Sequence, residues 1–273
     1  MPDIMLPVRS VPILAQCDVL VCGGGPAGVA AAVAAGRHGA SVVLLERWPR
    51  VGGMATTALV NIWHRSDREK IVITGLAQES VDRLDAGGWL STYGGPEGRH
   101  ETESFDPEGL TLIWHRMLQE AGVRVICYTV AGEPLLDDDS SIMGVLVETK
   151  TGQKAVMARF VIDASGDGDV AAKAGVGFDF GRGADDLVQG MTMMYRLCGI
   201  DEQAREAMTQ SQRESIIADM TRRIEEGEVP PSKTANPTWY GNRVIPNMCP
   251  VAGNPLDEEE LTELTVLGRE RVF

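Results

Sequence analysis

Residues 18–46, DVLVCGGGPAGVAAAVAAGRHGASVVLLE, decide the fold of this chain. Residues 18–22 form a short apolar run that ends at three glycines, a pattern typical of a buried parallel strand. Residues 26–38 are rich in alanine and valine and predict a close-packed helix, and residues 41–46 predict a second strand. A strand, a helix and a strand at this spacing indicate a right-handed βαβ unit.

The glycine-rich turn between the first strand and the helix, residues 23–28, matches the pattern G-x-G-x-x-G. Gly23 permits the tight turn, Gly25 has no Cβ that would block a diphosphate, and Gly28 lets the helix pack closely against the strand. The N-terminus of the helix adds unpaired N–H groups and the positive end of the helix dipole. Because the motif follows a strand and opens a helix, it predicts that this turn binds a dinucleotide.

An acidic residue, Glu46, ends the second strand about 20 residues past the motif, where it can accept hydrogen bonds from an adenosine ribose. This residue fits FAD or NAD and disfavours NADP, whose 2′-phosphate requires an arginine. The next segment, residues 46–56, contains the glycine pair Gly52-Gly53, which lets the backbone run close beneath an extended cofactor. In an NAD enzyme the second strand usually leads directly into another helix. The glycine pair therefore favours FAD, with an NAD-binding dehydrogenase as the alternative.

Four motifs together resemble those of the glutathione-reductase-like FAD-dependent oxidoreductases, and among these the group related to fumarate reductase flavoproteins. The motifs are residues 18–28 with Ala32, Gly39 and Glu46; residues 52–54, GGM; residues 105–108, FDPE; and residues 161–168, VIDASGDG. The resemblance covers essentially the whole chain and implies an α/β fold with a Rossmann-like FAD-binding domain. It also implies an enzyme that moves a hydride between a small organic substrate and the flavin N5.

The resemblance further implies which residues contact FAD. Gly23, Gly25 and Gly28 would lie at the diphosphate, Glu46 at the ribose and Arg47 near the adenosine. Residues 52–54 would lie near the diphosphate and the flavin, the strand at residues 123–130 would offer its backbone to the adenine, and residues 165–167 would close over the dinucleotide. The predicted cofactor-binding residues are Gly23, Gly25, Pro26, Ala27, Gly28, Glu46, Arg47, Gly52, Gly53, Met54, Val130, Ser165, Gly166 and Asp167.

Two departures from the family pattern lead to further expectations. Relatives with covalent flavin carry a histidine soon after the glycine pair, and residues 54–57, MATT, contain none, so we expect non-covalent FAD. Members of the family also end in a glycine-rich segment that binds the flavin and completes the sheet, and this sequence contains nothing like it. We therefore expect a fragment, a truncated product or half of a split protein. The alternative function is a flavoprotein that is inactive without a complementing C-terminal chain, or that associates through an exposed sheet edge.

The sequence does not identify a catalytic acid or base. His64 follows the glycine pair and is a candidate proton donor or substrate ligand, although a surface position is the simpler interpretation. His100 lies in a polar loop, and the same two interpretations apply to it. His38 is interpreted as a helix-end cation, and His115 as a packing or surface residue of a helix.

Two arginines on predicted strands, Arg196 and Arg243, are candidates for binding an anionic substrate, against ordinary ion pairing as the alternative. Metal chemistry is not indicated. Residues 137–139, DDD, lack the rest of an EF-hand spacing, and the sequence contains no spacing typical of zinc, haem or iron–sulfur ligands.

Composition argues against several classes of protein. A net charge of −14 over 273 residues, without a long basic run, argues against a nucleic-acid partner. Every apolar run is shorter than the roughly 18 residues of a membrane span, so no membrane partner is expected. Five scattered cysteines without a Cys-x-x-Cys pair predict reduced thiols and a cytoplasmic protein. The expected partner is a small-molecule substrate.

The predicted domains follow from these motifs. Residues 1–60 and 101–175 should form the FAD-binding domain, a parallel sheet with a three-stranded β-meander, and residues 61–100 an insertion near the flavin. Residues 176–273 should form part of a mixed α+β substrate domain. Beyond the βαβ unit, the predicted helices are residues 75–86, 107–121, 201–226 and a last one capped by Asp257, and the predicted strands are residues 123–130, 141–149, 153–158, 160–163, 187–197 and 243–248.

Overall fold

The chain contains both helices and strands in this computed structural model, which describes residues 4–5, 7–65, 70–93, 102–229, 238–240 and 242–272. The helices are α1 Pro26–Arg37, α2 Leu76–Ala86, α3 Pro107–Glu120, α4 Asp169–Lys173, α5 Glu202–Ala207, α6 Gln210–Glu225 and α7 Glu258–Val272. The strands are β1 Ile13–Cys22, β2 Val42–Leu45, β3 Ile62–Trp63, β4 Leu90–Tyr93, β5 Thr102–Phe105, β6 Arg124–Ile126, β7 Val130–Leu136, β8 Ile142–Thr149, β9 Gly152–Asp163, β10 Met191–Thr192, β11 Leu197–Cys198, β12 Thr238–Tyr240, β13 Arg243–Ile245 and β14 Pro250–Val251. Within these described ranges, none of the helices combines the length and the apolar character needed to cross a membrane.

The chain divides into two compact units. The first comprises Met1–Thr57 and Thr111–Phe178, and the second comprises Ala58–Leu110 and Asp179–Phe273. The segment at residues 61–100, predicted to be an insertion, thus belongs to the same compact unit as the C-terminal segment. Its position near a flavin stays a prediction.

The first unit is built on a six-stranded sheet with the strand order β6-β2-β1-β9-β8-β7. Neighbours among β6, β2, β1 and β9 run parallel, whereas β9, β8 and β7 form an antiparallel meander. Parallel neighbours need a crossover connection, and α1 provides it between β1 and β2. The predicted α/β fold, a parallel sheet with a β-meander, is confirmed.

Strand β9 is continuous, where the sequence predicted two separate strands at residues 153–158 and 160–163. Residues 152–157 pair antiparallel with β8, and residues 155–163 pair parallel with β1. The prediction was wrong because Arg159 interrupts the apolar pattern. Arg159 is exposed and forms an ion pair with Asp18 at 3.4 Å, so it occupies a solvent-facing register position that does not end the strand.

The predicted strand at residues 123–130 is also divided. β6 ends at Ile126 and β7 begins at Val130. Between them, Tyr128 has a φ of 54°, a left-handed conformation that a strand cannot contain. The chain therefore turns at Tyr128 and enters the meander.

The core of the first unit explains the apolar run that begins the sequence motif. Leu20, Val21 and Cys22 of β1 have no exposed surface, so both faces of this central strand are covered. Ala32 and Val33 of α1 are equally buried. A parallel strand that is covered on both faces is expected to be continuously apolar rather than alternating, as the sequence is at this point.

The second unit is a mixed α+β arrangement of small antiparallel sheets with helices. The sheets have the strand orders β3-β5-β4, β11-β13-β12 and β10-β14. The predicted N-cap of α3 is confirmed, because the Asp106 Oδ1 accepts a hydrogen bond from the backbone N–H of Glu108 at 2.8 Å. The predicted cap of α7 is confirmed in the same way, with the Asp257 Oδ1 accepting from the backbone N–H of Glu260 at 2.8 Å.

Several element boundaries in the second unit differ from the predictions. The predicted strand at residues 187–197 contains only β10 and the first residue of β11, and the one at residues 243–248 ends with β13. The predicted helix at residues 201–226 is divided into α5 and α6. The division occurs at Thr209, whose hydroxyl accepts from the backbone N–H of Gln212 at 3.3 Å, while the Gln212 side chain accepts from the Thr209 N–H at 2.8 Å. This reciprocal capping box starts a new helix within the amphipathic pattern.

Candidate dinucleotide-binding site

The three motif glycines occupy positions with different packing. A Cβ on Gly23, whose φ is 109°, would lie 2.2 Å from the Ala164 carbonyl oxygen, and one on Gly28 would lie 1.9 Å from the Gly23 carbonyl oxygen. The fold itself therefore requires both glycines. Gly25 differs: its backbone is extended, with φ −69° and ψ −176°, and an added Cβ would meet no atom of the described residues within 4 Å. The chain does not need a glycine at this position for its own packing.

The open space at Gly25 lies at the beginning of α1. Gly25 is the N-cap of this helix and Pro26 is its first residue, and the first turn contains no acidic side chain. The first N–H groups of a helix have no partner within the helix, and they carry the positive end of its dipole. This combination of free space and backbone donors suits a diphosphate.

Glu46 lies beside the turn, at the end of β2, and only 4% of its surface is exposed. Its carboxylate accepts hydrogen bonds from the backbone N–H of Gly24 at 2.9 Å and of Trp48 at 2.8 Å. A carboxylate offers about four lone-pair positions, so two backbone bonds leave capacity for ribose hydroxyls. The Glu46 carbonyl oxygen accepts from the N–H of Thr129 at 3.0 Å, which places the neighbouring Val130 next to this strand end.

The glycine pair packs directly against the motif. The N–H of Gly52 donates to the Gly24 carbonyl oxygen at 2.7 Å, and a Cβ on Gly53 would lie 3.0 Å from the Gly25 Cα. Gly52 has a φ of 118° and begins a short 3-10 turn, Gly53–Ala55, in which Met54 is 61% exposed. The segment that the sequence assigned to the cofactor thus meets the turn.

A threonine next to the glycine pair was missed by sequence reasoning. The Thr57 hydroxyl oxygen is buried, and it has no hydrogen-bond partner within the described residues. A buried hydroxyl without a partner is destabilising by about 1–3 kcal/mol, so such a group marks a position where a ligand can supply the missing bond. The sequence gives no signal for it, because threonine is common and its burial is not visible in the motif.

The segment after β9 is ordered by Asp163. The Asp163 carboxylate accepts hydrogen bonds from the backbone N–H groups of Ser165, Val170 and Ala171 at 3.0, 2.9 and 2.8 Å, and from the Ser165 hydroxyl at 2.7 Å. Burial alone would raise the pKa of Asp163, but these hydrogen bonds lower it below its usual range. The carboxylate thus holds the loop to the start of α4, with Gly166, φ 103°, in open space.

The structure brings most of the predicted residues together in the first unit. The backbone N–H of Ala164 donates to the Cys22 carbonyl oxygen at 2.9 Å, so residues 165–167 follow directly beside the glycine turn. Arg47 forms an ion pair with Asp169 of α4 at 3.4 Å. Both side chains are about half exposed, so this pair contributes at most about 1 kcal/mol.

The histidine candidates lie in different parts of the chain. His64 is exposed and belongs to the second unit. His115 lies on α3, and burial lowers its pKa. His38 follows α1, with its backbone N–H bonded to the Ala34 carbonyl oxygen at 3.1 Å. His100 lies outside the described residues.

Neither a metal site nor a disulfide is found within the described ranges. No group of three or more His, Cys, Asp or Glu residues is arranged to hold a metal ion there. The five cysteines are free, and burial, with a smaller contribution from the Asp163 charge, raises the pKa of Cys22 to about 12.

Comparison with known proteins connects this geometry with flavin chemistry. A family model described as FAD dependent oxidoreductase matches residues 18–273. A curated relative, digeranylgeranylglycerophospholipid reductase 1 of Methanopyrus kandleri, is 32% identical over 160 residues. The match covers 55% of this chain and 40% of that protein, so the chain spans about two fifths of the length of the relative.

Solved structures are similar at low sequence identity. A geranylgeranyl bacteriochlorophyll reductase-like protein of Thermoplasma acidophilum is 18% identical, with 68% of this chain and 48% of that chain covered and a TM-score of 0.49. The 3-ketosteroid-delta4-(5alpha)-dehydrogenase of Rhodococcus jostii is 19% identical, with coverages of 55% and 46% and a TM-score of 0.42.

Proposed function

The chain belongs to the FAD dependent oxidoreductase family, and from this premise we propose that its first unit binds the ADP half of FAD at the glycine turn. The observation that carries the proposal is the open space in front of Gly25, at the beginning of α1. Gly23 and Gly28 are required by packing, whereas the packing of the chain does not require a glycine at residue 25, where the space stays open for a ligand. The partly satisfied Glu46 carboxylate and the unpartnered Thr57 hydroxyl support the same assignment.

The glycine turn and the residues beside it have separate roles in holding the cofactor. The first N–H groups of α1 bind the diphosphate, and the Glu46 carboxylate accepts the ribose hydroxyls with its remaining lone pairs. Val130 offers its backbone to the adenine, and Arg47 lies near the adenosine. The predicted contacts of residues 52–54 and 165–167 with the diphosphate and the flavin complete the proposal.

The activity proposed for the whole protein is oxidoreduction of a small organic substrate. When bound, FAD supplies a hydride acceptor and donor at the flavin N5. The chain contributes binding and orientation, and Met54, exposed on the 3-10 turn, lies on the side proposed to face the flavin. Because residues 54–57, directly after the glycine pair, contain no histidine, the flavin is held without a covalent bond.

The test is an absorbance spectrum of the purified chain, followed by acid precipitation and mass measurement of the released cofactor. Flavin absorbance, with FAD in the supernatant, is the expected result. A colourless chain that binds NADH but not added FAD would contradict the proposal and favour the NAD-binding dehydrogenase. A colourless chain that takes up FAD only when a C-terminal partner is co-expressed would assign binding to the two chains together.

A further inference from the structure

A small recess in the second unit is formed by one face of the sheet β11-β13-β12. Arg243 of β13 pairs with Cys198 of β11 and with Tyr240 of β12, and Ile245 pairs with Thr238. Alternate residues of a strand share a face, so Arg243 and Ile245 lie on the same side as their cross-strand partners. Arg196, two residues before Cys198, follows the same alternation.

The recess therefore has two arginines in its wall, together with Asn61, which precedes β3, and Asp106, which lies between β5 and α3. Its enclosed volume is about 10 Å³, room for about one water molecule, and it reaches about 200 Å³ only with the open mouth included, so a ligand group would lie at the mouth. All of its lining residues belong to the second unit.

The neutral polar side chains of the wall already have hydrogen-bond partners within the chain. The Asn61 Nδ2 donates to the Phe105 carbonyl oxygen at 2.9 Å, and the Asn61 Oδ1 accepts from the Thr238 hydroxyl. The Tyr240 hydroxyl donates to the Gly88 carbonyl oxygen at 2.7 Å. A ligand in the recess would consequently be bound by the arginines rather than by these groups.

Among the described residues that line the recess, Asp106 supplies one carboxylate against two arginines. Asp106 is rigid, because its Oδ1 caps α3 and its Oδ2 accepts from the Arg243 Nη1 at 2.7 Å. This contact fixes the Arg243 guanidinium and leaves its other N–H groups free to bind elsewhere. Arg196 is half-buried, and within the described residues it has neither a hydrogen bond nor an ion pair. One positive charge of the recess is thus unmatched, in a chain whose net charge is −14.

We infer that this recess binds the carboxylate group of a small molecule through Arg196 and Arg243. The planar guanidinium fork matches a carboxylate with two parallel hydrogen bonds, and Asp106 holds one of the two forks in position. Partial desolvation strengthens this charge-assisted binding relative to a solvated surface arginine. The site goes beyond the flavin function, since all of its residues lie in the second unit.

The test is calorimetric titration of the 273-residue chain with malonate at low ionic strength, with inorganic phosphate as a separate arm. R196Q should weaken malonate binding about tenfold or more, because it removes a charged donor. R269Q, on an exposed position of α7, removes the same charge and should leave binding unchanged. Flavin content, measured in the same samples, should be equal in all variants, so failure of the FAD proposal would be seen separately.

A second measurement does not depend on variants. Malonate should protect Arg196 of the wild-type chain from modification by phenylglyoxal, as followed by peptide mass, while Arg269 stays reactive. No malonate binding at millimolar concentrations, equal weakening by R196Q and R269Q, or an Arg196 that malonate leaves unprotected would overturn the site. Binding of phosphate without malonate would overturn the carboxylate class.

Discussion

Replacing Gly25 by alanine should separate cofactor binding from folding. The backbone of Gly25 is extended, and the added Cβ meets no described atom within 4 Å, so the substitution creates no clash in the free chain. Alanine is a poorer N-cap than glycine, which destabilises the folded chain by about 0.5–1 kcal/mol. Alanine also lowers the conformational entropy of the unfolded chain, which stabilises the folded chain by about 0.4–1 kcal/mol. The free energy of unfolding without FAD should therefore change by less than about 1 kcal/mol.

Binding of FAD should respond much more strongly to the same substitution. An extra methyl group forced into a closely packed contact costs about 1–3 kcal/mol. If the diphosphate lies against Gly25, the dissociation constant of FAD should rise about five- to 150-fold. Flavin fluorescence quenching on the cofactor-free chain measures this constant, and urea unfolding of the same samples measures stability.

Gly28→Ala is the matched control. Its Cβ would lie 1.9 Å from a backbone oxygen, so this variant should lose about 1–3 kcal/mol of stability even without FAD. A Gly25→Ala chain that is folded and binds FAD as tightly as the wild type would refute the placement of the diphosphate. Equal losses of stability in both variants would refute the packing distinction.

Three further predictions concern single side chains. Asp163→Asn removes a carboxylate whose pKa is lowered by hydrogen bonds despite burial. In urea unfolding, the wild type should be more stable than the variant above about pH 4 and should lose this advantage as the pH falls through the lowered pKa. Parallel stability curves against pH would contradict the stabilising role of the Asp163 carboxylate. Cys22, with its pKa raised to about 12 by burial, should react with iodoacetamide only after unfolding, while the exposed Cys198 reacts in the native chain, as peptide mass will report. Thr57→Val removes the unpartnered hydroxyl, so it should stabilise the FAD-free chain by up to about 1–3 kcal/mol and weaken FAD binding. Thr57→Ser keeps a hydroxyl, so it should bind FAD more tightly than the Thr57→Val variant.

The sequence predicted the first unit well because its signals are local. A continuous apolar run, a glycine turn and an acidic strand end each act within a few residues, and the βαβ unit follows from their spacing. The boundaries that failed depend on information outside the local pattern. Arg159 could be placed on an exposed register position only once β9 was paired with β1, and the turn at Tyr128 depends on a single backbone angle.

The binding groups divide along the same line. The glycines indicate a turn from the sequence alone. The missing hydrogen-bond partner of the Thr57 hydroxyl depends instead on which atoms surround it in three dimensions. In the second unit, Arg196 and Arg243 were candidates from residue type alone. Their common recess follows from the antiparallel register of β11 and β13, which joins segments separated by the whole of α5 and α6.

The double membership of β9 has a mechanical consequence. β9 is one continuous strand from the hairpin turn at Gly152 to Asp163. A shift of its register in the meander would therefore also move the loop that follows Asp163 beside the glycine turn. Lengthening this strand by one residue would reverse the facing of every side chain beyond the insertion and displace the Asp163 anchor. An added residue in the exposed turn before Gly152 leaves β9 unchanged. That turn is therefore suited to the attachment of a tag or the insertion of a peptide.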